Sequence, residues 1–207
     1  MRRLKHLGRR GALGLAAVSL WGCASLPARP GAGVAERAQS ALSYSARVKV
    51  SLTGSKLRAR ATVLVAFKRP DALRVELPGP TGARLIAVAQ AGRLVAVFPS
   101  ERAVWTGAAG AAEMGELLGV ALAPSQVMDV LLGQKPETAR SLRARWGKDV
   151  PERLDAGLED GTRLRLAVET PRLDPALSER AFLEPDHEGY RAVSAEEARQ
   201  LWSGGQP

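Results

Sequence analysis

The 207-residue chain has one cysteine, two histidines and few aromatics, with three Phe, four Trp and two Tyr. With Cys23 as the single thiol, no disulfide can form within the chain. His6 lies in a basic leader, so His187 is the one imidazole left for the body, too few for a His-based zinc site. No apolar run approaches the roughly 20 residues that a membrane-spanning helix needs. A hydrolase elbow, a phosphate-binding loop and a dinucleotide fingerprint are also missing. Asp186, His187 and Glu188 cluster, but between Pro185 and Gly189, and Glu159-Asp160 precede Gly161. Both groups read as turn chemistry rather than acid–base catalysis. No catalytic residue, metal site or cofactor is expected, and the chain is not read as an enzyme.

The formal charge of +9 overstates the charge of the body. Setting aside Arg2, Arg3, Lys5, Arg9 and Arg10 of the leader leaves 25 basic against 21 acidic residues, or +4. The remaining arginines are dispersed through strand-like segments. They read as solvated faces, with mild attraction to anionic lipid, rather than as one patch. No recognition motif accompanies them, so nucleic acid is not expected as a partner.

Residues 1–10 are basic, and Gly11 to Gly22 are small or apolar, the length of a signal-peptide hydrophobic region. The run ends Leu20-Trp21-Gly22-Cys23, which resembles the bacterial lipobox, Trp21 being bulkier than usual at its position. The resemblance implies diacylglyceryl transfer to the Cys23 thiol and cleavage between Gly22 and Cys23. Ala24 rather than Asp follows, which leans towards the outer membrane. Arg9-Arg10 fits a twin-arginine signal only loosely. The expected layout is a signal peptide over 1–22, a lipid-anchored tether and short N-terminal segment over 23–43, a domain over 44–202 and a disordered tail over 203–207. Pro27, Pro30 and two glycines suit the tether, and Val34 to Ser43 reads as polar or helical.

From Ala46 the pattern changes to period two, the mark of half-buried strands. Ala46, Val48, Val50 and Leu52 alternate with Arg47, Lys49 and Ser51; after Thr53-Gly54-Ser55, the residues Leu57, Ala59, Ala61, Val63, Val65 and Phe67 share a face. Leu73, Val75 and Leu77 follow, then a long turn over Pro78 to Gly82. Arg84 to Gln90 and Arg93 to Phe98 are apolar on both faces, and Arg102 to Trp105 completes six strands in meander order. Two helices are predicted next, Ala111 to Leu118 closed by Gly119, and one opened by Pro124 and ended by Gly133. Met114, Leu117 and Leu118 mark the apolar face of the first, and Val127, Val130 and Leu131 that of the second. Strands return at Leu142 to Trp146, Arg153 to Leu158, Arg163 to Val168 and Ala181 to Leu183. A helix over Ala195 to Trp202 ends the domain, with Ser194 and Glu197 spaced as a capping box. Trp146 and Trp202 read as core or rim packing. The fold class is α+β, an antiparallel unclosed β-barrel, or half-barrel, covered by short helices.

A lipobox, a run of antiparallel strands, a helix Ala112-Glu113-Met114-Gly115-Glu116-Leu117-Leu118-Gly119 and a second ending Val130-Leu131-Leu132-Gly133 resemble the LolB-like outer-membrane lipoproteins of the LolA/LolB-like superfamily. The likeness covers most of Tyr44 to Val168; Phe182 to Trp202 resembles the tail of non-enteric members. It implies a half-barrel around an apolar cavity for the acyl chains of a lipoprotein, handed over by a soluble LolA-like periplasmic carrier, on a monomer facing the periplasm. The cavity candidates are Val63, Val65, Phe67, Leu73, Val75, Leu77, Met114, Leu117, Val127 and Leu131, each acting by burial. The family's membrane-insertion loop maps to Pro80, Thr81 and Gly82. It carries Thr81 where the family has an exposed Leu. The family's cavity is also rich in aromatics, whereas the first sheet offers Phe67, Phe98 and Trp105 among small residues such as Ala59, Ala61, Ala87 and Ala96. The alternative reading is a structural or assembly lipoprotein, with the same fold and a filled core, that binds a protein at a sheet edge.

Overall fold

A computed structural model describes residues 30–54 and 58–204. Gly22, Cys23 and the segment read as signal peptide lie outside the described residues. A short helix α1 (Val34–Gln39) leads into a meander of β1 (Ser43–Thr53), β2 (Arg58–Lys68), β3 (Ala72–Gly79), β4 (Gly82–Gln90), β5 (Arg93–Phe98) and β6 (Ala103–Ala108). Helices α2 (Ala111–Leu118) and α3 (Pro124–Leu131) follow, then β7 (Ala139–Trp146), β8 (Pro151–Leu158) and β9 (Arg163–Leu173). The chain ends in a 3-10 turn (Glu179–Phe182), a two-residue strand β10 (Arg191–Ala192) and α4 (Ala195–Ser203).

Among the described residues the strands make one ten-stranded sheet, ordered β10-β6-β5-β4-β3-β2-β1-β9-β8-β7. It is an unclosed half-barrel, antiparallel except where β10 pairs with β6. The second meander joins the first through β1, which pairs with β2 on one side and β9 on the other. Alternation puts Ala46, Val48 and Leu52 of β1, and Leu164, Leu166 and Val168 of β9, on the inner face. The short helices cover that face.

Local signals account for most boundaries. Gly119 and Gly133 take φ of 72° and 77° just past α2 and α3, a conformation that is costly for residues with a Cβ. A Cβ on Gly133 would also lie 2.7 Å from the Trp146 ring. At α3 the Gln126 side chain accepts the Ala123 N–H at 2.9 Å. Ser194 Oγ accepts the Glu197 N–H at 3.1 Å, while the Glu197 carboxylate turns to Arg191 instead of closing a capping box.

Three further local expectations change. Ala181 to Leu183 is not a strand: the segment coils into the 3-10 turn, with Ser178 Oγ accepting the Arg180 N–H, so that Phe182 is fully buried while Leu183 stays exposed. Three alternating residues cannot distinguish these outcomes. The long turn over Pro78 to Gly82 shrinks to Pro80-Thr81, because β3 runs on to Gly79 and pairs with Gly82 past an irregularity after Leu77 that admits Pro78. Tyr44 adds a further ring to the first sheet: it is fully buried and stacks on Phe67 with centroids 5.2 Å apart.

Candidate functional site

The inner faces of β1, β2, β3 and β9 and the covering helices α2 and α3 enclose a cavity of about 130 Å³. Every side chain in its wall is apolar except Trp202 of α4. The Trp202 indole N–H is already used, donating to the Leu117 carbonyl at 2.7 Å. A ligand inside would therefore meet no side-chain partner for a polar atom, and would be bound by burial alone, at about 25 cal/mol per Å² of apolar surface. The wall is graded. Leu73, Met114, Leu122 and Leu131 are at most 2% exposed, whereas Val50, Ala59, Ala61, Leu118 and Val120 keep partial exposure. The cavity therefore opens towards the β1–β2 hairpin and the α2–α3 connection.

Of the ten cavity candidates, Val63, Val65, Leu73, Val75, Leu77, Met114, Val127 and Leu131 line this space. Phe67 and Leu117 do not. Phe67 is paired in register with Tyr44, and their stacked rings fill the core beyond the cavity wall. On α2 the residues facing the cavity are Met114 and Leu118, one turn apart. Leu117 is fully buried to the side of them. The wall also includes Val48 and Val50 of β1 and Leu164 and Leu166 of β9, residues that lie on the apolar phase of their strands but require the β1–β9 pairing to meet. Leu122, in the connection between α2 and α3, carries no periodic signal.

Charge stays outside. Arg69, just past β2, pairs with Asp129 of α3 at 3.0 Å and ties that helix to the β2–β3 turn. Among the described residues the one strongly shifted titratable group is Tyr44: burial pushes its phenol well above the ordinary 10.0. Its hydroxyl is one of two buried polar side-chain groups without a hydrogen-bond partner among the described residues, Thr138 Oγ1 being the other. Pro80, Thr81 and Gly82 sit exposed at the β3–β4 tip. His187 Nδ1 lies 2.9 Å from the Pro185 carbonyl of its own loop. Among the described residues no three His, Cys, Asp or Glu side chains are grouped to hold a metal, and no helix is long and apolar enough to cross a membrane.

No protein-family profile and no curated protein matches the chain. Among solved structures it is similar to a LolA superfamily protein of Nitrosomonas europaea, with TM-score 0.44 and 9% identity over 76% of this chain and 99% of that one. It is also similar to a Vibrio parahaemolyticus domain described as outer membrane lipoprotein-sorting, with TM-score 0.40 and 8% identity over 72% of this chain and 92% of that one.

Proposed function

We propose that the chain is a lipid-handling lipoprotein of the LolB-like kind, anchored through a lipid on Cys23 and accepting acyl chains in the cavity between its sheet and helices. The observation that carries the reading is a wall without a free polar side chain, in an otherwise ordinary core. In this reading the domain faces the periplasm from the outer membrane, takes acylated cargo from a LolA-like carrier and releases it without any chemical step. Each methylene moved from water into the cavity contributes about 0.8 kcal/mol.

Size sets the mechanism. The cavity of about 130 Å³ is close to an engineered cavity in another protein, about 150 Å³, that takes up a benzene ring. It accommodates a short length of one chain. A full acyl chain requires α2 and α3 to lift from the sheet, and Arg69–Asp129 is the ion pair that opposes the movement of α3.

The test is native mass spectrometry with a triacylated lipopeptide, on the chain without residues 1–22 and with Cys23 replaced. A stoichiometric complex is expected, and Leu131→Glu or Val75→Glu should abolish it while the circular dichroism stays unchanged. A folded protein that takes up no acyl chain would overturn the reading and leave the interaction-platform alternative.

A further inference from the structure

The arginines of the body are dispersed along the sequence, but the sheet gathers five of them. On the outer face of β2, β1, β9, β8 and β7, pairing registers align two rows across five strands. One runs Arg143, Asp155, Arg165, Ser51, Arg60, and the next Arg145, Arg153, Ala167, Lys49, Thr62. The rows are about 7 Å apart along the strands and span about 19 Å across them. They line a concave groove of about 770 Å³ that holds six cations against one carboxylate.

Two of the six cations are paired locally and four are not. Arg165 pairs with Asp155 at 3.2 Å and Lys49 with Glu169 at 2.7 Å. Arg60, Arg143, Arg145 and Arg153 form no salt bridge among the described residues. Arg145 and Arg153 are direct cross-strand neighbours, an arrangement that destabilises a sheet. Fold stability alone does not explain such a pair.

Shape and chemistry restrict the occupant. Guanidinium forks match tetrahedral oxyanions through paired hydrogen bonds. Six cations spread over two rows call for a ligand with several separated charges. The volume falls in the range of small-molecule sites, about 300–1,000 Å³, too small to seat a folded partner. Among the described residues no aromatic side chain lines the groove for base stacking. Four of the five strands are interior to the sheet, so an acidic peptide laid across them finds no open backbone edge.

We propose that this outer groove is a binding site for a ligand carrying two or more phosphate groups. The sheet separates it from the acyl cavity, and it stands independently of the lipid-handling reading. The phosphates would belong to a soluble metabolite or to lipid headgroups.

The experiment is titration calorimetry of the full chain in uncharged detergent with inorganic tripolyphosphate, at rising salt. One-site binding is expected, weakening as salt rises. Replacing Arg145 and Arg153 by Gln should cost at least about ten-fold in affinity, with an unchanged unfolding midpoint or a higher one. Replacing Arg37 and Arg180, which lie outside the groove, removes the same charge and should cost little. Flotation with phosphatidylcholine vesicles, with and without phosphatidylglycerol, distinguishes the sources: recruitment by the anionic lipid that tripolyphosphate reverses assigns the site to headgroups, and its absence assigns it to a soluble ligand. Equal losses in the two variant pairs, no binding, or tighter binding of a glutamate oligomer of the same charge would overturn the proposal.

Discussion

The outer face of the sheet carries Val95, Val97 and Val104 over β5 and β6, almost wholly buried, and a field of arginines over β7, β8, β9, β1 and β2. The first half has a cover. Tyr190 packs on the three valines, Arg102 sits 5.5 Å from the Tyr190 ring centre, Arg93 pairs with Glu184 at 3.0 Å, and Arg74 donates to the Ala181 carbonyl at 3.0 Å. The second half has none among the described residues. One continuous sheet thus follows two composition rules, and the difference is whether the chain's own C-terminal segment lies over it. Strands buried on both sides lose their alternation, which is why β4 and β5 read as apolar throughout.

The comparison breaks most sharply if the residue type of one half is moved to the other. Val97→Arg places an unpaired charge at a position 1% exposed, and should cost about 3–5 kcal/mol, read by denaturant unfolding. A loss below 1 kcal/mol would mean that the C-terminal cover is loosely held. A smaller effect is expected on the inner side of β1, the strand where the two meanders join. Tyr44→Phe removes an orphaned hydroxyl and should add about 1 kcal/mol. Its pH dependence sharpens the test. Because the folded phenol titrates above 10.0, its stabilising difference is complete below that pH and is lost as pH rises towards the folded value. The wild-type midpoint should therefore fall more steeply above pH 10.0 than that of Tyr44→Phe. The smallest effect belongs to the bare half, where Arg153→Glu turns a like-charge pair with Arg145 into an opposite one. It should stabilise by about 0.2–1 kcal/mol. Thermal unfolding at low and high salt would show the gain shrinking with salt, and a loss would mean that Arg153 has a stabilising contact other than Arg145.

Much of the fold is legible locally. Alternation marks β1 to β3, apolar runs between turns mark β4 and β5, Gly119, Pro124 and Gly133 punctuate the helices, and Val63, Val65, Leu73, Val75, Leu77, Met114, Val127 and Leu131 lie on the apolar phases that meet at one cavity. What was hidden is what pairing creates. Arg60 and Arg143 are far apart in sequence and belong to different meanders, and only the order β2-β1-β9-β8-β7 brings them to one groove. Phe67 shares the phase of Val63 and Val65, yet its depth along β2 is set by its partner Tyr44. Leu122 faces the cavity from an irregular connection, where no periodicity operates. The Ala181 to Leu183 segment is too short for its pattern to decide between strand and coil.

An unclosed sheet ends somewhere, and β7 is such an end. A bare strand edge is a template onto which another chain can add itself, the first step of runaway self-association. Here that edge carries Arg140, Arg143 and Arg145, all exposed. Two copies meeting edge to edge would bring two such sets of guanidiniums together before any backbone hydrogen bond formed. The edge strand β7 thereby resists polymerisation as well as forming one wall of the basic groove.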